Sequence, residues 1–468
     1  MEAAQNVEKR LSDGASLSGG TEQGDVASST KPTVQPATPD LPWFTEGYWS
    51  SDTATAMARK IYTKIMLIFT LLIIITVLTV LPIYWGALWQ TTTHVHNLHG
   101  WVVDFDGGAI GQAISQAVLS TNGPSDTMTW SAVSPDQFPN GMSDVENDIV
   151  QQKSWAIITI NPNATATLQA ALARIDSSYV SNASVTAFAA EARSENAFKN
   201  VIHLNIEAIL DQATAGFNAQ YLDQLADSDQ SLHALAKGAP VLLTQPVSYT
   251  VNNVRPFDVP VAAAVDFVGL IYLLILSFVV TMVNYAARVD VTHIEDRLTF
   301  PALMGMRILN PIIAYFVISL FYGLLSVAFQ VPFNRTFGHS GFLVYWMMSW
   351  FAMAALGLAV ESMITILTPR FVPFFLLLWI ITNVSVCYFP PELLPGVYRY
   401  AYAMPFFNVQ QAVRTIIFNT KNQLGLNFGV QLIWIAVSLC TITGFQYYKR
   451  YGKIRERQRL LSANMEKP

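Results

Sequence analysis

The chain has 468 residues, 52% of them hydrophobic and 13% charged, with a formal net charge of −5, whereas a soluble domain carries about 25% charged residues. A mean hydropathy of +0.34 over this length demands long apolar stretches and excludes an ordinary cytosolic enzyme. Two cysteines exclude a disulfide-rich secreted module.

Residues 1–58 read as a disordered tail, since 16 of the 30 residues in 11–40 are Ser, Thr, Gly or Pro. No apolar core precedes residue 65, so the tail is not a signal peptide and the first span acts as an uncleaved anchor. Its Ser and Thr content also suits phosphorylation, beside the plainer reading of a spacer. The first span is 65–88, because no Asp, Glu, Lys or Arg lies between Lys64 and Asp104. Segment 91–260 reads as an inserted α/β domain. Strands are expected at 101–105, 155–160, 184–188 and within 241–254, and helices at 109–119 and, behind an Asn163 cap, at 163–175. Further helical patterns fill 198–235, with a break near 213–216.

Five more apolar intervals follow within 261–448, at 267–287, 308–329, 342–360, 371–389 and 428–447. The expected fold is therefore an α-helical polytopic membrane protein of six spans, one plus five, with an extracellular α/β domain. Pro311 falls in the first turn of the third span, and Pro369-Arg370 separates the fourth from the fifth. Residues 390–421, rich in Tyr and Phe, suit an interfacial or partly re-entrant outer segment. A basic tail, 449–468, closes the chain.

Charge distribution sets the orientation. Arg59, Lys60 and Lys64 precede the first span, and Lys449, Arg450, Lys453, Arg455, Arg457 and Arg459 follow the last, which puts both termini in the cytosol. Segment 91–260 holds 16 acidic and 6 basic residues and belongs outside. Glycosylation sequons at Asn163, Asn182 and Asn334 fall in segments expected outside, while the one at Asn383 is inside a span.

Several segments carry a family likeness: Leu81-Pro-Ile-Tyr-Trp-Gly-Ala-Leu-Trp, His96-Asn-Leu-His-Gly-Trp-Val-Val-Asp-Phe-Asp-Gly, Phe342-Leu-Val-Tyr-Trp-Met, Ala355-Leu-Gly-Leu-Ala-Val-Glu, Asn383-Val-Ser, Phe389-Pro-Pro-Glu-Leu-Leu-Pro, Tyr398-Arg-Tyr-Ala-Tyr-Ala-Met-Pro and Asn427-Phe-Gly-Val. Over about residues 60–450 the chain resembles the fungal nitrosoguanidine-resistance membrane protein family, a domain of unknown function. The one-plus-five topology also resembles bacterial phage-receptor-like proteins and the membrane domains of type-2 ABC exporters. The resemblance implies a multi-pass plasma-membrane protein, transport-related, contributing to resistance to toxic compounds by export or by affecting membrane lipid distribution. Membrane lipids are then the expected partners, with a homodimer building the path. The rivals are a non-transporting trafficking or scaffold protein and an ectoenzyme.

Little in the sequence points to chemistry. There is no phosphate-binding G-x-x-x-x-G-K-[ST] loop, so ATP use would need a separate ATPase docked on the inner loop 288–307. The mixed charges of that loop fit a solvated turn as well as a coupling helix. Asp104 and Asp106 in Val102-Val-Asp-Phe-Asp-Gly superficially resemble a phosphatase nucleophile strand, but a capped strand-end turn is the simpler reading. His94, His96 and His99 lack a fourth ligand, and neither a metal, a cofactor, an enzymatic activity nor nucleic-acid binding is expected. The candidate intramembrane functional residues are Glu361 and Asp266, as carboxylates at membrane depth or at its edge, where snorkelling is the structural alternative. Asn284 and Asn383 could bond between helices, and Cys387 and Cys440 could pack as small apolar groups.

Overall fold

The computed structural model describes residues 47–227 and 232–465. The expected disordered tail lies outside the described residues as far as 46. The chain divides into units 1–69 and 70–468. Helix α1 (Thr53–Leu88) begins well before the apolar segment and overlaps the end of the expected tail. Its start is set by the Asp52 carboxylate, which accepts from the Thr55 N–H at 2.9 Å. Lys and Arg are good helix formers, so a helix does not stop where hydropathy does.

Next come β1 (His99–Asp104), α2 (Ala109–Ser120), β2 (Thr129–Val133), α3 (Met142–Val150), β3 (Ala156–Ile160), α4 (Ala164–Arg174), β4 (Val185–Ala189), α5 (His203–Ala226) and β5 (Tyr249–Asn253). The sheet order is β2-β1-β3-β4-β5; β1 runs parallel to β2 and β3, β4 antiparallel to β3, and β5 parallel to β4. Both faces are covered. Val102, Ile158 and Ala187 pack under α2 and α5, while Val103, Ile157 and Phe188 pack against α3. That double burial explains the unbroken apolar run of β3.

The expected strands at 101–105, 155–160 and 184–188 correspond to β1, β3 and β4. The expected helices at 109–119 and 163–175 correspond to α2 and α4, and three details need correction. Of 241–254 only β5 is a strand, and 241–244 forms a helical turn. Asn163 precedes α4 in the left-handed region, φ 61°, and its side chain makes no cap hydrogen bond. No break occurs at 213–216: α5 runs through, because burial of Ile209, Leu210, Ala213 and Thr214 outweighs the helix cost of Gly216.

The remaining long helices are α6 (Gly269–Tyr285), α7 (Phe300–Ala328), α8 (Gly341–Val384) and α10 (Leu424–Met465), with the shorter α9 (Pro405–Phe418) before the last. Five helices among the described residues are long and apolar enough to cross a membrane: Thr53–Leu88, Pro260–Val291, Phe300–Ala328, Asn334–Val384 and Leu424–Arg459. The six expected spans thus fall on five helices, since the fourth and fifth both lie in α8. Within α8, Thr368 leaves helical geometry (φ 61°, ψ 157°). Pro369 disfavours an α conformation at the residue before it, and a positive φ on a β-branched residue is strained. Pro311 is interior to α7 rather than in its first turn, because the helix already starts at Phe300 with Pro301 opening it.

α8 is the hub, touching α6, α7, α9 and α10. At the α6–α7–α8 crossing, Gly357 leaves room for the Tyr315 ring and Ser277, whose hydroxyl donates to the Met353 carbonyl at 3.3 Å. Gly357→Leu is expected to cost about 1–3 kcal/mol or more through overpacking, read as a lowered thermal midpoint of the purified chain. The exposed Gly425, with open space around it, is the control.

The helical part of the segment 390–421 is α9, which packs into the protein rather than standing free on its surface. α9 is buried along nearly its whole length, with Phe406, Val409, Val413, Ile416 and Ile417 in the membrane-helix core. Its polar residues look interfacial in sequence, but Gln410, Arg414 and Thr415 are bonded within the protein.

Candidate functional site

Two buried charge clusters occupy opposite ends of the helix bundle, and each contains one of the carboxylates singled out in the sequence. The first, at the end away from the sheet, centres on Glu361, whose side chain is fully buried. It does not snorkel. Arg307, near the start of α7, donates from Nε to Glu361 Oε1 at 2.7 Å, and from Nη2 to the Glu361 carbonyl at 3.0 Å and to Thr365 Oγ1 at 2.7 Å. Its Nη1 donates to Gln446 Oε1 of α10 at 2.8 Å. Arg288, just past α6, donates from Nη1 to Glu361 Oε1 at 3.2 Å and from Nε to Glu295 Oε2 at 2.8 Å. Gln446 Nε2 closes the ring on Glu295 Oε1 at 3.1 Å.

Two guanidinium groups therefore face two carboxylates, and the charges balance. The connecting loop is not simply a solvated turn, because both bounding arginines are buried. Burial alone would raise the Glu295 carboxyl, but the Gln446 amide and the Arg288 and Arg307 guanidinium groups outweigh it and hold it below its ordinary value. One acceptor stays open: Glu361 Oε2 is buried and makes no hydrogen bond.

The second cluster faces the sheet. Asp266 Oδ2 accepts from Arg414 Nε of α9 at 2.9 Å, with both side chains buried. Arg414 Nη1 also donates to the Arg193 carbonyl at 2.8 Å, which fastens the segment after β4 to the membrane helices. Asp266 and Arg288 both sit in wide π-helical turns flanking α6, at 264–268 and 286–291. Such turns recur at functional positions because they re-aim a side chain within a helix. Beside Arg414 lies a cavity of about 280 Å³ lined by Trp155, Arg193, Tyr402 and Gln410 among others, with the Arg193 guanidinium 3.3 Å from the Trp155 ring centroid.

Sequence reasoning found the two acids and missed their partners Arg288, Arg307 and Arg414. The available signal was an arginine bordering an apolar run, which positive-inside counting absorbs without asking what it pairs with.

The other expected residues are placed as follows. Asp104 Oδ1 accepts from the Asp106 and Gly107 N–H groups, each at 2.9 Å, and Asp106 accepts from Thr165 N at 2.9 Å and Thr165 Oγ1 at 2.5 Å. These carboxylates cap turns and the start of α4. His94 contacts the Gln90 carbonyl and His96 the Ser125 carbonyl, and among the described residues no three His, Cys, Asp or Glu side chains gather as a metal-ligand group. Asn163, Asn182 and Asn334 are exposed. Asn383 is buried, with Oδ1 accepting from the Phe406 N–H of α9 at 3.2 Å. Asn284 makes no interhelical bond through its Nδ2, which is buried and unpartnered. Cys387 is buried but lies past the end of α8, and Cys440 is exposed rather than packed, since it points away from the bundle core.

One relative is the "Uncharacterized endoplasmic reticulum membrane protein YJR015W" of Saccharomyces cerevisiae, 26% identical over 447 residues, which span 89% of this chain and 85% of the relative. No solved structure matches the chain. A family model described as "Protein of unknown function (DUF3533)" matches residues 69–440. That match starts within α1, takes in the sheet and both charge clusters except Gln446, and ends inside α10, so the chain belongs to this family of membrane proteins.

Proposed function

We propose that the chain is a six-crossing, transport-related membrane protein of exporter-like design, with the sheet domain on the extracytosolic side and both termini in the cytosol. The 44 residues of α8 at about 1.5 Å each would run roughly 66 Å, about twice the ~30 Å hydrocarbon core, which favours two crossings divided at Thr368. The exposure of Asn163, Asn182 and Asn334 supports the orientation.

The observation that carries the transport reading is the buried network at Glu361. Charges at membrane depth are costly and persist where they work. This network ties the far ends of α6, α7, α8 and α10, so making or breaking it has the reach to close or open that end of the bundle. The resemblance to nitrosoguanidine-resistance proteins adds tolerance of toxic compounds, by export or by lipid redistribution. It favours the plasma membrane, whereas the name of the yeast relative favours the endoplasmic reticulum. Exterior and lumen lie on the same side of the membrane, so the orientation is shared, and imaging the tagged chain at native levels separates the two compartments. A homodimer, and a separate ATPase seated on the loop 288–307, complete the exporter-like reading. We read the chain as non-enzymatic, since Asp104 and Asp106 are occupied as caps.

The test is flux of labelled lipids and toxic compounds in cells lacking the protein, rescued by wild type or by Glu361→Gln at matched membrane levels. Transport predicts altered flux restored by wild type and not by Glu361→Gln. A resistance defect with unchanged flux would sink this reading in favour of a scaffold.

A further inference from the structure

Next to the Glu361 network, at the same end of the bundle, lies a second pocket of about 340 Å³ between α10 and the turn at 294–296. One face of α10 supplies Lys449, Arg450, Lys453 and Arg457, spaced so that successive turns of one helix present them together. The acidic residues lining it are Glu295 and Asp296. Glu295 is already engaged by Arg288 and Gln446, so its charge is spent inside the bundle. Asp296 meets Lys453 at 3.1 Å, in a pair whose side chains are 58% and 70% exposed. Solvent screens such a pair heavily.

Arg450 is held in place without being satisfied. Its Nη2 donates to the Leu298 carbonyl at 2.9 Å, while its Nη1 is buried with no partner. A half-buried guanidinium with one N–H group idle, in a pocket with three further cations, lacks an anionic acceptor. Leu303 of α7 and Ile454 of α10, beside the cations, add apolar surface to the lining.

We propose that this pocket binds a phosphate group, and that the group belongs to the headgroup of an anionic lipid. Several cations around one unfilled donor fit a multiply charged oxyanion with several acceptor oxygens. The place favours a lipid over a soluble ion, because the pocket sits where α10 passes from its apolar stretch into its basic end. Basic pockets between helices at that level take phosphorylated headgroups. The exposed Ile454 then meets the glycerol and first methylenes. The pocket also shares Glu295 and Gln446 with the Glu361 network, so occupancy is communicated to the buried charges. The proposal requires only that this end of the bundle meets a membrane surface, not that the protein transports.

The test uses the full chain in nanodiscs, which expose both faces. Nanodiscs of phosphatidylcholine, with or without a phosphatidylinositol monophosphate, are compared by mass spectrometry of the lipid retained on the protein. Wild type is expected to retain the phosphorylated lipid and not phosphatidylcholine. Arg450→Gln with Lys453→Gln should lower retention about tenfold or more, whereas Arg455→Gln with Arg459→Gln, which removes equal charge from exposed positions outside the pocket, should change it by less than about twofold. Equal losses in the two pairs would overturn the proposal, reducing it to diffuse surface charge. Arg450→Lys, which keeps the charge, checks that loss is not misfolding and should retain most of the binding. Excess inorganic phosphate should leave the lipid in place; complete displacement would overturn the lipid source and assign a soluble anion.

Discussion

Arg307→Ala is expected to be among the most damaging single changes in the chain. It removes four hydrogen bonds, to Glu361 Oε1, the Glu361 carbonyl, Thr365 and Gln446. Glu361 is then left with Arg288 at 3.2 Å and an Oε2 that is already unpartnered. Breaking a buried ion pair from one side costs about 3–5 kcal/mol, because the remaining charge has no water to replace the lost partner and here keeps only the longer Arg288 contact. The measurement is the thermal midpoint of the purified chain, with the folded yield as a second readout. Arg307→Lys keeps the charge but loses the planar fork that reaches four acceptors at once, and should fall between wild type and Ala. The double change Arg307→Met with Glu361→Met should recover part of the loss, since replacing both partners removes the orphaned charge. An Arg307→Ala chain as stable as wild type would mean that the network is not formed.

The second large effect is expected for Arg414→Ala, at the other end of the bundle. Asp266 would be buried without its guanidinium, at a cost again of about 3–5 kcal/mol. The consequence differs in kind, because Arg414 also holds the Arg193 carbonyl. Losing it should loosen the sheet domain from the helices, seen as faster proteolysis within 91–260 at temperatures where the helices remain folded. Asp266→Asn is expected to be milder, since an amide oxygen still accepts from Arg414 and the bond to Arg193 survives. Equal proteolysis of Arg414→Ala and wild type would show that other contacts, such as Asn196 to the Tyr388 carbonyl, suffice.

The long helices and four of the five strands were legible, β5 with its start placed too early, because hydropathy and short apolar runs act locally. β2 was not, since it is an edge strand with little of its surface buried. Its signal was the alternation of Met128 and Trp130, both buried, with Thr129 between them. The two carboxylates stood out because an acid beside an apolar run is rare, whereas their partners lie 54, 73 and 148 residues away along the chain. Pairing at that separation is a property of helix packing and leaves no local pattern. The same limit hid how fully α9 packs into the protein. Its polar groups are satisfied by Cys387, Asp266 and Lys421, none of them its own neighbours in the helix.

In the proposed topology the sheet domain lies on the extracytosolic side of a membrane crossed six times. Sealed microsomes carrying the full chain, with a different tag at each end, test it when treated with protease from the cytosolic side. Both tags should be lost while a fragment containing 91–260 is protected until detergent is added. This fragment should also lose mass on enzymatic removal of N-glycans unless Asn163 and Asn182 are changed to Gln. Protection of one tag would mean an odd number of crossings, and digestion of the sheet domain would mean the opposite orientation; either result would overturn the six-crossing topology.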